Sequence, residues 1–205
     1  MASRTTTRLL AAAVLVGAGV YFAPKAVDTV GTFLGDLVGA TDAVILGEGE
    51  TALMVAVEAQ PKVVNCATAA ILAERSCDGL RVLVVDATKL PFIARNTKLA
   101  WESGQPAVLI MDRTRQRANR TRACGGFRAV HGGQCDEYPM ASTAEGGDGA
   151  RTEEVPPREN QCQGPSYRFQ YPPDGERFLV VISRPDLVAT GPFSGADIAR
   201  DLGRC

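Results

Sequence analysis

One histidine, His131, and one tryptophan are present among 205 residues. None of the six cysteines forms a Cys-x-x-Cys pair. A structural zinc site wants clustered Cys and His ligands, so that class is disfavoured at once. The formal net charge is −1, so the chain is not a polycation. Any attraction to a polyanion must come from a local patch. Internal repeats and low-complexity linkers are absent. Aromatics are sparse, at 6%, and Trp101 is expected in the core.

What is present begins with a positively charged start. Arg4 and Arg8 precede an uncharged apolar run from Leu9 to Ala23, which Pro24-Lys25-Ala26 closes. A positive flank, a short apolar centre and small residues after it describe a secretory signal. The run is shorter than the roughly 20 residues a membrane span needs. Cleavage after Ala23 or after Ala26, an uncleaved anchor facing the cell exterior, and a buried N-terminal helix are the readings. The cysteines fit export: Cys66, Cys77, Cys124, Cys135, Cys162 and Cys205 are an even set, which in an exported chain reads as disulfides. Local spacing favours Cys66–Cys77 and Cys124–Cys135, leaving Cys162–Cys205; free buried thiols are the alternative. The expected organisation is a signal or anchor over 1–26, an extension over 27–79 and a folded domain over 80–205.

Val27 to Val38 has the pattern of an amphipathic helix. Cys66 to Arg75 has helix-forming composition and runs into the Cys77-Asp78-Gly79 turn signal. The β-branched run Arg81 to Asp86 predicts a buried strand. Pro91 opens a helix, whose apolar residues Phe92, Ile93, Leu99, Ala100 and Trp101 recur at helical spacing and whose stop is Gly104. Ala107 to Met111 predicts a second strand and Glu176 to Ser183 a third. Thr152 to Val155 reads as a short strand, broken by Pro156-Pro157. A helix starting at Pro157 is expected to be interrupted by Gly164-Pro165. Ser194 is placed to cap a short helix over Gly195 to Leu202.

Chemistry concentrates between residues 113 and 170. Arg113, Arg115, Arg117, Arg120 and Arg122 crowd one short stretch. Such a run is often a solvated face, but the planar guanidinium fork suits phosphate oxygens. Arg128 and His131 follow in a Gly-rich loop, and Arg158 and Arg168 lie further on. Carboxylates and amides fill the rest: Asp136, Glu137, Glu145, Asp148, Glu153, Glu154, Glu159, Asn160, Gln161, Gln163 and Gln170. Oxygen donors with few His or Cys ligands suit a hard cation such as Mg2+ or Mn2+. Glu145-Gly146-Gly147 reads as a turn, with metal ligation as the minor alternative.

Three ordered blocks carry a resemblance. Cys135-Asp136-Glu137-Tyr138-Pro139-Met140-Ala141-Ser142-Thr143 is followed by Glu145-Gly146-Gly147; Val155-Pro156 precedes Glu159-Asn160 and Gln163-Gly164; Asp174-Gly175 precedes Phe178-Leu179-Val180-Val181. Together they resemble the NucA/NucB deoxyribonuclease family across roughly residues 80–185. The first 75 or so residues lie outside the resemblance.

The resemblance implies an α+β fold: a small antiparallel sheet with helices and a ββα-metal nuclease-like core, stapled here by disulfides. It implies Asp136 as general base, in the place where many relatives of the wider class use a histidine. Asn160 becomes the implied metal ligand, with Glu159 and Gln163 beside it as candidates on one helical face. Glu137 and Arg158 join Asp136 as catalytic candidates. Arg113, Arg115, Arg117, Arg120, Arg128, His131 and Arg168 are candidates for holding the substrate. His131 as base is the weaker alternative. The implied function is a secreted, divalent-metal-dependent endonuclease that hydrolyses DNA without sequence specificity, with RNA as a second substrate. No element for groove-specific readout is evident, nor is a protein partner. A membrane contact follows only if the N-terminal segment is uncleaved. A binding module without catalysis and an antibacterial nuclease toxin domain are the rival readings.

Overall fold

A computed structural model describes residues 43–203. The signal segment, the helix expected over Val27 to Val38, and Cys205 lie outside the described residues. The larger sheet has six strands: β1 (Ala43–Leu46), β2 (Leu53–Ala56), β3 (Ser76–Cys77), β4 (Leu80–Asp86), β5 (Val108–Ile110) and β8 (Arg177–Ser183). A separate two-stranded hairpin joins β6 (Gln134–Tyr138) to β7 (Arg151–Val155). Among the described residues, four helices accompany them: α1 (Thr68–Glu74), α2 (Pro91–Glu102), α3 (Gln116–Cys124) and α4 (Pro157–Arg168). The α+β class and the hairpin-plus-helix core are as expected. The larger sheet is mixed rather than antiparallel throughout, because β4 and β8 run parallel from Arg81↔Phe178 to Asp86↔Ser183.

The centre of that sheet follows from composition. Val82, Leu83 and Val85 on β4 and Phe178 through Ile182 on β8 are fully buried. A strand buried on both faces reads as a continuous apolar run. The other edge of β8 is divided between β2, through Leu53↔Ser183, and β5, through Val108↔Leu179. Residues 43–79 thus contribute β1, β2 and β3 to the same sheet.

Helix α2 buries Ile93, Thr97, Ala100 and Trp101 along one face, at the spacing that places side chains over one another. Gly104 ends it at φ +86°, in the left-handed region that glycine tolerates. Its N-cap, Leu90, offers no side-chain bond. The donors of Phe92 and Ile93 go instead to Glu159 Oε2, at 3.0 and 3.1 Å. A carboxylate from a distant helix thereby satisfies amides at the positive end of α2.

Helix α4 differs from expectation by running through Gly164-Pro165 to Arg168. Cys162 and Tyr167, on either side of that pair, are both buried, and this packing outweighs the local break. The C-terminal segment differs the other way, since Gly195 to Leu202 contains no helix. Asp197 Oδ1 accepts the Ala199 N–H and Asp201 Oδ1 the Gly203 N–H. Such local side-chain bonds compete with helical ones. Cys66–Cys77 and Cys124–Cys135 are bonded, the pairings that spacing favoured. Cys162 is also in a disulfide.

Candidate active site

Strand β6 and helix α4 of the ββα unit line one side of a cleft of about 810 Å³, and α3 lines the other. Helix α3 is polar and buries only Asn119, so burial of an apolar face does not hold it. Asn119 Nδ2 donates to the carbonyls of Ala141 and Thr143 at 3.0 and 2.9 Å. Arg120 donates to the Cys135 carbonyl at 2.7 Å, and the Cys124–Cys135 disulfide joins the end of α3 to β6. The Gly146-Gly147 turn closes against the same place. A Cβ at Gly146 would lie 2.3 Å from the Met140 carbonyl. Glu145 accepts the Ile110 N–H at 3.0 Å, which anchors that turn to β5.

Alternation along β6 sends neighbouring residues to opposite faces. Asp136, only 1% exposed, meets α2 and α4. Asn96 Nδ2 donates to its Oδ2 and Gln163 Nε2 to its Oδ1, both at 2.8 Å. Arg151 donates to Asn96 Oδ1 and, at 2.6 Å, to Glu153 Oε2. Arg95 pairs with the other oxygen of Glu153. Burial raises the Asp136 pKa to about 6, against the bonds from Asn96 and Gln163 and the charges of Arg120 and Arg151.

Glu137 lines the cleft although it is 6% exposed. Arg120 forms its ion pair. Burial raises the Glu137 pKa to about 7 and the Asp136 charge adds to that, opposed by Arg120. Tyr138, the next residue, is structural: Trp101 Nε1 donates to its hydroxyl, which donates to the Pro106 carbonyl, each at 3.0 Å.

The remaining candidates divide by position. Asn160, Gln163, Arg113, Arg117, Arg120 and Arg168 line the cleft. Asn160 Nδ2 donates to Gln134 Oε1 at 2.8 Å, which leaves its own amide oxygen available. Arg113 is matched by Asp174 at 2.6 Å and lies over the Tyr171 ring. Arg117 and Arg168 have no carboxylate partner among the described residues. Arg115 pairs with Asp112 at 3.0 Å, away from the cleft lining. Arg128 and His131 are exposed in the loop before β6 and do not line the cleft. Arg158 ties Asp197 and the Lys89 carbonyl together.

Glu159 caps α2 rather than facing the cleft. Burial raises its pKa to about 8, against the two amides it accepts. Asn96 and Tyr167 escaped sequence reasoning. Asn96 is a buried polar residue on an otherwise apolar helix face, a weak signal that composition hides. Tyr167 lies beyond the expected helix break.

The donors present suit a hard cation better than a soft one. The clusters of acidic and thiol groups within ligand distance among the described residues both contain a disulfide, Cys66–Cys77 or Cys124–Cys135. Disulfide sulfurs are not thiolates, so a soft-metal site is not built there. Glu137 and the Asn160 amide offer oxygen to the cleft. One carboxylate, one amide and room for water and phosphate oxygens fit Mg2+ or Mn2+.

The sequence model described as Deoxyribonuclease NucA/NucB matches residues 94–181. A DNA-entry nuclease of Bacillus subtilis (strain 168) is 31% identical over 96 residues, covering 46% of this chain and 65% of the relative. The chain thus spans just under two thirds of that relative's length. From within α2 to within β8, this chain matches the deoxyribonuclease NucA/NucB family, on the segment that holds the DEYP, Glu-Asn and closing-strand blocks.

Proposed function

We propose that this protein is a secreted, divalent-metal-dependent endonuclease that hydrolyses DNA without sequence specificity. The observation that carries the reading is one cleft lined by Glu137 and by Arg117 and Arg168, which have no carboxylate partner among the described residues, with Gln163 in the lining bonded to the buried Asp136. The disulfides and the apolar N-terminal run support export, and the family match supports DNA as substrate.

Asp136 is the general base. Its carboxylate takes a proton from water as the water oxygen bonds to phosphorus. One ester P–O bond breaks, and the departing alkoxide takes a proton from solvent. Gln163 covers Asp136 Oδ1, so its amide turns aside as the water docks. Asn96 keeps the other oxygen fixed. Arg117 and Arg168 hold the phosphate from the two walls. Glu137 and Asn160 would hold a hard divalent cation, which when bound offsets charge building on the phosphate.

The test is plasmid and linear duplex degradation by residues 27–205 in Mg2+, in Mn2+ and in EDTA. Cleavage in either metal and arrest in EDTA supports the reading. Full activity in excess EDTA removes the metal, and binding without cleavage makes the chain a nucleic-acid-binding module.

A further inference from the structure

Tyr167 is 1% exposed, and its hydroxyl has no hydrogen-bond partner. Buried polar groups are almost always paired, and leaving one unpaired costs on the order of 1–3 kcal/mol. Gln163 approaches from one turn earlier on α4, yet its amide is committed to Asp136 and makes no hydrogen bond of acceptable geometry to the hydroxyl. Tyr167 is also one of the residues that line the cleft, together with Glu137, Asn160 and Arg168. The residue thus borders the space where the substrate is placed, and its hydroxyl, itself shut off from solvent, becomes reachable once the neighbouring Gln163 amide turns aside.

We propose that the Tyr167 hydroxyl is a further catalytic group, donating a hydrogen bond to a non-bridging oxygen of the scissile phosphate. This rests on the endonuclease reading above. A phenol keeps its proton to about pH 10, so it serves as a donor throughout the neutral range. The phosphate brings the acceptor that the folded protein does not supply. A donor aimed at an oxygen whose charge grows during the reaction is stronger in the transition state than in the bound substrate. The ring packs edge-on to Tyr171, with centroids 6.1 Å apart, which fixes the direction of the hydroxyl without engaging it.

Tyr167→Phe removes only the hydroxyl. The measurements are steady-state cleavage of a duplex in saturating Mg2+, duplex affinity in EDTA, and thermal unfolding, each beside the wild type. A hydrogen bond to a charged group corresponds to about a 10- to 100-fold change. The expected result is a fall in kcat of that size, with KM, affinity and Tm close to wild type. Unchanged kcat overturns the inference and leaves the endonuclease reading standing. A marked fall in Tm overturns it too, because the hydroxyl would then have had a protein partner. A wild-type chain that leaves DNA intact overturns both.

Discussion

The two faces of β6 differ in how completely their charges are matched. On one, Asp136 is held by Asn96 and Gln163, and Arg151, Glu153 and Arg95 extend the network. On the other, Glu137 has Arg120 but opens on a cleft that also contains Arg117 and Arg168. The first face is a finished polar network, which rigidifies a site when every member is satisfied. The second has positive charge left over, which is what an incoming phosphate needs. Adjacent residues of one motif thus meet different surroundings because a strand alternates.

The largest effect is expected at Asp136. Asp136→Asn keeps the shape and removes the proposed base, so turnover should fall by about 10²–10⁴ while DNA affinity stays similar or rises. Cleavage rate and affinity on the same folded variant decide it. His131→Ala, in the exposed loop, should cost far less; an inactive His131→Ala beside an active Asp136→Asn would reverse the base assignment.

Next in size is Asn96→Ala, which tests whether the closed face is a unit. It removes the donor to Asp136 Oδ2 and one of the two acceptors of Arg151, which keeps Glu153. A loss of about 1–3 kcal/mol is expected in denaturant unfolding. A loss near zero would mean that water replaces the amide and that the network does not fix the base.

The open face is sharpened by salt dependence. Each lost phosphate contact should lower the log–log slope of duplex binding by about 0.9. Arg117→Ala and Arg168→Ala should each do so, whereas Arg115→Ala should not, since Arg115 pairs with Asp112 off the cleft. Equal slopes for all three would make the arginine stretch a general charged surface.

The smallest effect is expected at Glu154. Its carboxylate accepts the N–H groups of Val130, His131 and Gly133 at 2.7–2.8 Å. These bonds hold its pKa below the usual value, although the partial burial opposes them. A depressed folded-state pKa gives stability that is present above the unfolded value, about 4.3, and is lost as pH falls through the folded one. Glu154→Gln should therefore lower Tm slightly at pH 7, and the difference should vanish in acid. A difference that grows on acidification would contradict the assignment.

Local chemistry made much of this molecule legible in the sequence. The run at 81–86, Pro91 with the following helical spacing, and the 178–183 run each announce their element, because period and propensity act over a few residues. The motif blocks likewise pointed to residues 136–163, where the structure brings Glu137, Asn160 and Gln163 to one cleft. Two expectations about helices failed, one to tertiary packing and one to local side-chain bonds. Cys162 and Tyr167 pack α4 through Gly164-Pro165, and Asx-type bonds at Asp197 and Asp201 replace a C-terminal helix.

The sequence alone determined which residue types are available: carboxylates and amides in one window, arginines just before it, and too little histidine or free thiol for zinc. Only the tertiary structure decided their partners. It turned Glu159 to the start of α2, gave Arg158 to Asp197, brought Asn96 to Asp136 across 40 residues, and left the Tyr167 hydroxyl unmatched beside the cleft. Composition and spacing act along the chain, whereas a buried polar atom is satisfied by whatever packing brings within about 3 Å.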